Sequence, residues 1–180
     1  MAGPKDEGSE AVARRFRGQF HQKVDAKGRV SIPAQFRRVV ESCDPEWTDG
    51  LRPSLVLHFG PRTQSFLTGY TVEAMDDIDR RIDALPRGST ERKLLEHTVH
   101  SQSQPTQLDD DGRIVLPQRL RERLELAGEA LFVGVGDSFR IWKPEAFEAE
   151  EARVEAWLEA QGDEFDPFAL LPDLPGGAGA

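Results

Sequence analysis

A ten-residue segment that recurs once within the chain constrains the fold more than any other feature, because a duplicated unit sets the architecture around every later residue. Residues Val24 to Pro33 read VDAKGRVSIP and residues Leu108 to Pro117 read LDDDGRIVLP, aligned without a gap at a spacing of 84. Asp25 and Asp109, Gly28 and Gly112, Arg29 and Arg113, and Pro33 and Pro117 are identical pairs. Val30/Ile114 and Ile32/Leu116 keep their apolar character, and Arg37 coincides with Arg121 further on.

Each copy has the same local grammar. An Asp followed three residues later by Gly makes a turn: the glycine supplies a positive φ, and the carboxylate bonds backbone donors further along. A short β-branched or apolar strand follows, and Pro33 or Pro117, with fixed φ and no N–H, opens a short amphipathic helix. These helices are expected over 34–40 and 118–124. Each copy then returns to strand, through Leu55 to Phe59 in the first and Ala130 to Val135 in the second, with Phe139 to Trp142 as a further strand. A unit of about 45 residues buries too little surface to stand alone, so the two copies are expected to share one core as an intramolecular pseudo-dimer.

Between the copies, Phe66, Leu67, Tyr70, Met75, Ile78, Ile82 and Leu85, then Leu94, Leu95 and Val99, have helical spacing. Helices are therefore expected over 64–85 and 89–100, broken at Pro86-Arg87-Gly88. A C-terminal helix is expected from Pro144 to about Gln161, with Phe147, Val154, Trp157 and Leu158 along one stripe. The organisation reads as an unstructured start (1–15), a first half (16–63), connecting helices (64–100), a second half (101–147), a helix (148–161) and an acidic, unstructured tail (162–180).

Charge becomes informative only once it is located. The formal −9 comes from 23 Lys plus Arg against 32 Asp plus Glu, which argues against a polyanionic partner. Beyond Lys143, however, ten acids face one base, Arg153, and that segment alone carries −9. The stretch 11–38 holds Arg14, Arg15, Arg17, Lys23, Lys27, Arg29, Arg37 and Arg38 against Asp25, a local +7 of the sort that neutralises phosphates. Cys43 is the sole cysteine, which excludes an intramolecular disulfide and a cysteine-based zinc site. The first residues lack the apolar stretch of a signal peptide and no run is long enough to span a membrane, so a soluble, cytoplasmic protein is expected.

FRGQFHQKVDAKGRVSIPAQFR near the start and DGRIVLPQRLRE in the second half resemble the MraZ family of bacterial transcriptional regulators. The resemblance covers about Phe16 to Phe147, and its specific part is the doubled D-x-x-G-R element. It implies an α+β, mainly β fold: two swapped-hairpin β-barrel halves of the AbrB type, with connecting helices and a C-terminal helix. It also implies sequence-specific binding of double-stranded DNA at repeated promoter sites in the division and cell-wall gene cluster, by a ring of subunits.

The positions that match DNA-facing residues of AbrB-like domains are Lys23, Arg29, Arg37 and Arg38, to which Lys27 and Arg17 add charge. The second half offers Arg113 and Arg121 but has Gln107 and Glu122 at the positions of Lys23 and Arg38, with Asp109, Asp110 and Asp111 in its turn. Arg119 and Arg123 are expected to compensate in part, and the first half is expected to be the stronger reader. Asp25, Gly28, Asp109 and Gly112 are assigned to the turns.

Other chemistries are weaker readings. Asp before a Gly turn serves the backbone or orients an arginine more often than it catalyses, so no catalytic residue is assigned. The three aspartates resemble a Mg²⁺ site in composition, as an enzyme handling phosphates would need, but neighbouring side chains on an extended segment point apart. His97 and His100 lack further ligands in sequence, and no metal or cofactor is expected. A second functional class is an antitoxin-like interaction module in which the acidic tail, rich in Phe and Leu, meets a protein partner.

Overall fold

The computed structural model describes residues 15–172, so Arg14 and the outermost parts of both expected tails lie outside the described residues. Its compact units divide between Ala146 and Phe147. The first is α+β with antiparallel strands. Strands β1 (Gln19–Lys23) and β2 (Arg29–Ser31) are followed by helix α1 (Ala34–Ser42), then β3 (Ser54–His58), β4 (Phe66–Thr71) and α2 (Val72–Asp83). Helix α3 (Thr90–Leu95) continues as a π-helical turn over Glu96–His100. The second copy follows as β5 (Ser103–Gln107), β6 (Arg113–Val115), α4 (Gln118–Arg123), β7 (Glu129–Gly134) and β8 (Ser138–Trp142). Helix α5 (Pro144–Gln161) comes directly after β8, as α2 comes directly after β4.

Six strands form one sheet in the order β1-β7-β8-β4-β3-β5, and β2 pairs with β6 in a separate two-stranded ribbon. Exchanging the copies (β1 with β5, β3 with β7, β4 with β8) reverses this order and leaves it otherwise unchanged. Four of the six strand pairings cross between the copies, β1 on β7, β5 on β3, β2 on β6, and β4 on β8 at the centre, while β3–β4 and β7–β8 pair within one copy. The sheet is open, with β1 and β5 as its edges, where closed barrel halves are the expectation.

The core is shared in the same way. Phe16, Val30, Ile32, Phe36, Leu55 and Leu57 from the first copy pack with Leu108, Ile114, Leu116, Phe132, Phe139 and Ile141 from the second, all at most 1 % exposed. Phe16, Phe36 and Phe139 meet with centroids 5.1 to 5.4 Å apart. Fully burying each such aromatic contributes roughly 1.5–3 kcal/mol, and neither copy holds enough of them to enclose a core alone.

One element departs from its expected type. Phe66, Leu67 and Tyr70 fit helical spacing, yet 66–71 is strand β4, and the helix starts only at Val72. Helical and strand periods are ambiguous over so short an apolar run, and here both flanks decide. The segment is hydrogen-bonded to β3 on one side and β8 on the other, with Leu67, Thr68 and Gly69 all buried. Gly69 is required at that point, because a Cβ would enter the Phe139 ring opposite. Thr71 then switches the chain to helix by accepting a hydrogen bond from Ala74 N at 3.1 Å, an N-cap.

Along α5 Val154 and Trp157 are exposed, and Trp157 meets Phe165 edge to face at 5.7 Å. Where no regular structure is expected past 162, Pro167–Leu170 form a 3-10 turn capped by Asp166, whose Oδ1 accepts from Phe168 N at 2.9 Å.

Candidate nucleic-acid interface

The ribbon places the repeated arginines on one face. Val30 lies opposite Ile114, both buried, so the alternate residues Arg29, Ser31, Arg113 and Val115 all point outward on the other face. Because the strands run antiparallel, Arg29 faces Val115 and Ser31 faces Arg113. The two arginines therefore stand at opposite ends of the ribbon. Val115, across from Arg29, is 55 % exposed. Each turn also locks to the other copy: Ile32 N donates to Gly112 O at 2.9 Å and Leu116 N to Gly28 O at 2.8 Å.

Asp25 organises the first turn. Its Oδ1 accepts from Lys27 N and Arg29 N, each at 2.9 Å, while Oδ2 accepts from Arg29 Nε at 2.6 Å. The main-chain and side-chain hydrogen bonds from Arg29 hold this carboxyl below its usual value of 3.8. Asp109 repeats the pattern, accepting from Asp111 N and Arg113 N at 2.9 Å and from Arg113 Nε at 3.0 Å. Its carboxyl is likewise lowered, first by the Arg113 main-chain bond. A bond at Nε restrains the plane of the guanidinium and leaves its terminal amino groups for other partners.

Beyond that shared part the turns diverge. In the second, Asp111 Oδ2 takes Arg113 Nη2 at 2.6 Å, and Asp110 takes Arg52 in a two-pronged pair at 2.8 and 2.9 Å. At the position of Asp111 the first turn has Lys27, exposed, and at that of Asp110 it has Ala26. The second turn thus spends its arginine on its own aspartates, while the first keeps Arg29's terminal edge and adds a lysine. The three aspartates face arginines or the backbone, and among the described residues no group of His, Cys, Asp and Glu converges to hold a metal.

The remaining sites are placed as follows. Arg17, Lys23 and Arg38 are exposed, Arg17 just before β1, Lys23 at the end of β1 opposite Glu129, and Arg38 on α1. Arg37 and Arg121 are half-buried, each laid against the turn glycine of the other copy. A Cβ on Gly112 (φ 72°) would come within 2.5 Å of Arg37 Nη1, and one on Gly28 (φ 82°) within 2.7 Å of Arg121 Nε. Arg121 Nε donates to Leu116 O at 3.1 Å. Their reciprocal packing is invisible in sequence, although the coincidence of Gly with Arg in both copies is its trace. Arg119 and Arg123 line a separate pocket that contains no ribbon residue.

With this geometry in place, the comparisons with known proteins are informative. A family model described as "MraZ protein, putative antitoxin-like" matches residues 101–164. The chain is 51 % identical over 166 residues to a protein of Ruegeria pomeroyi named transcriptional regulator MraZ, covering 92 % of this chain and 99 % of that one. A Cereibacter sphaeroides protein of the same name is 47 % identical over 169 residues, covering 90 % and 98 %. One from a Roseiflexus species is 33 % identical over 129 residues, covering 72 % and 81 %. The first two of these relatives match nine-tenths of the chain or more at 47 % identity or above: the chain belongs to the MraZ family.

Proposed function

We propose that the chain is a sequence-specific DNA-binding transcriptional regulator, not an enzyme, and that the outer face of the β2–β6 ribbon reads the DNA. The observation that carries this reading is the pair of arginines on one exposed ribbon face, each oriented through Nε by its own aspartate. The major groove admits a two-stranded β-ribbon, and an arginine presented edge-on suits guanine O6 and N7 or two phosphate oxygens. The exposed Val115 across from Arg29 is a contact for a thymine methyl. Arg17, Lys23, Lys27 and Arg38 serve the phosphates, while Arg37 and Arg121 brace the turns from behind.

The cross-copy strand pairing supports a swapped-hairpin pseudo-dimer of AbrB type. One subunit offers few unpaired cations, so a ring of subunits on repeated promoter sites would gain affinity through effective concentration. The division and cell-wall cluster as target follows from the family resemblance. Gel retention on promoter repeats, with light scattering for subunit number, tests both parts. Retention of Arg29→Ala equal to the parent chain would sink the site, and a monomeric mass at working concentration would sink the ring. The second reading, a protein-interaction module, draws on exposed Phe168, Leu170 and Leu171 within the acidic segment, and a stoichiometric co-purifying protein would favour it.

A further inference from the structure

Pseudo-symmetry exposes a second cationic site that the ribbon does not use. At the start of the first copy, Gly18 O accepts from Gly134 N of the second, and Phe16 continues the edge by pairing with Gly136 and setting its ring against Phe36. In the second copy, the matching bond runs from Phe59 N to Gln102 O at 2.7 Å. His100, the counterpart of Phe16, is exposed and bonds Asp79 instead, with Nε2 3.0 Å from Oδ1. The place that Phe16 fills in the first copy is therefore an open pocket of about 660 Å³ in the second, with Leu120, the counterpart of Phe36, in its wall.

Three differences between the copies all add charge to that pocket. Arg119 stands for Gln35, Arg123 for the buried Val39, and Arg62 for Asp137. Arg123 is anchored by its terminal nitrogens on Phe59 O at 2.5 Å and Gly60 O at 3.3 Å, and its Nε is buried without an acceptor. Arg119 lies over the Phe59 ring, 4.9 Å from its centroid. Among the described residues none of the three forms an ion pair, and the one carboxylate in the wall, Glu122, accepts from Gln118. Burial, then the charges of Arg119 and Arg62, lower the pKa of Arg123. Three guanidinium groups share the wall with a single carboxylate that pairs with none of them, so they repel one another with two charges in excess, and an anion relieves that repulsion.

We propose that the pocket of Arg62, Arg119 and Arg123 binds a phosphate-class oxyanion, taken either from a free phosphorylated molecule or from a nucleic-acid backbone. Arg119 and Arg62 supply planar forks able to bond two oxygens each, and Ser101 and Gln102 in the wall supply neutral donors. Calorimetry of the full chain with inorganic pyrophosphate in a low-chloride buffer is the direct test, alongside the doubly substituted Arg62→Gln, Arg119→Gln. Both residues are exposed, so an unchanged melting temperature for that variant confirms its fold.

A free ligand predicts saturable pyrophosphate binding at one site per chain, weakened about 10-fold or more in the double variant and unaltered by Arg29→Ala. A backbone ligand, which rests on the DNA-binding reading, predicts instead that the double variant lowers the slope of log affinity against log salt for DNA by about 2. No saturable pyrophosphate binding together with an unchanged salt slope overturns the proposal. The pyrophosphate arm stands even if the chain retains no DNA.

Discussion

The two D-x-x-G-R turns are built alike and charged differently. Both use an aspartate to take two backbone N–H groups and the Nε of the arginine four residues on, and both set a left-handed glycine under an arginine of the other copy. They part at Ala26 against Asp110 and, next to that, at Lys27 against Asp111. That aspartate occupies Arg113 at Nη2, whereas Arg29 keeps its terminal edge. Backbone architecture and surface charge are thus separable in this fold: the second turn shares the first and differs in the second.

The most severe break of the comparison is Arg29→Ala against Arg113→Ala. In gel retention on a specific promoter fragment, Arg29→Ala should weaken binding about 100-fold, and Arg113→Ala no more than about 5-fold, within the range of one bidentate base contact. Equal losses would abolish the asymmetry. Both variants should keep the parent oligomer, since neither side chain enters the core.

The shared architecture is probed by the glycines. Gly28→Ala should cost about 2–3 kcal/mol in denaturant unfolding, because it strains a φ of 82° and brings a Cβ within 2.5 Å of Leu116 O, a backbone atom that cannot swing aside. Gly112→Ala meets the Arg37 side chain instead and should cost less, about 1–2 kcal/mol. A larger loss at Gly112 would show that Arg37 is the more rigid brace.

Exchanging the charges sharpens the contrast. Asp111→Lys should release Arg113, tighten DNA binding about 3- to 10-fold at low salt and steepen the salt slope by about 1–2. Lys27→Asp should do the reverse in the first turn. Unaltered salt slopes in both would remove these positions from the phosphate-facing surface.

The smallest effect is on acid stability. Asp25 and Asp109 have carboxyl groups lowered in the folded chain, so their contribution is fully present above the ordinary value near 3.8. It is lost as pH falls through the lower folded values. Asp25→Asn and Asp109→Asn should therefore flatten the decline of melting temperature below about pH 4, and by similar amounts because the bonds are alike. An acid limb as steep as the parent's would show that the bonds do not persist in solution.

Much of this was legible in the chain. The repeat fixes the turns through Asp and Gly, the helix starts through Pro33 and Pro117, and the order of strands β2, β3, β6, β7 and β8. Strand β4 was not legible, because Phe66, Leu67 and Tyr70 satisfy a helical period and their burial between two strands is a tertiary fact. The repeat offered a route to it: β8 is readable as a strand through Phe139 to Trp142, and β4 is its pseudo-symmetric partner. In the site, the basic character of Arg29 and Lys27 was legible. The bracing role of Arg37 and Arg121 was not, since their partners lie about half a chain away.

By itself, then, the sequence determined that two like units exist, where each turn falls, and that positive charge gathers at the first turn while negative charge gathers beyond Lys143. Those are local matters, set by φ preferences, by short-range hydrogen bonds and by composition. Only the tertiary structure decided which strands of one unit pair with those of the other, that Arg29 and Arg113 share one ribbon face, and that Arg62, Arg119 and Arg123 meet around one pocket. Each depends on pairing between residues far apart in the chain, where the shared core and the register of the sheet choose the partners.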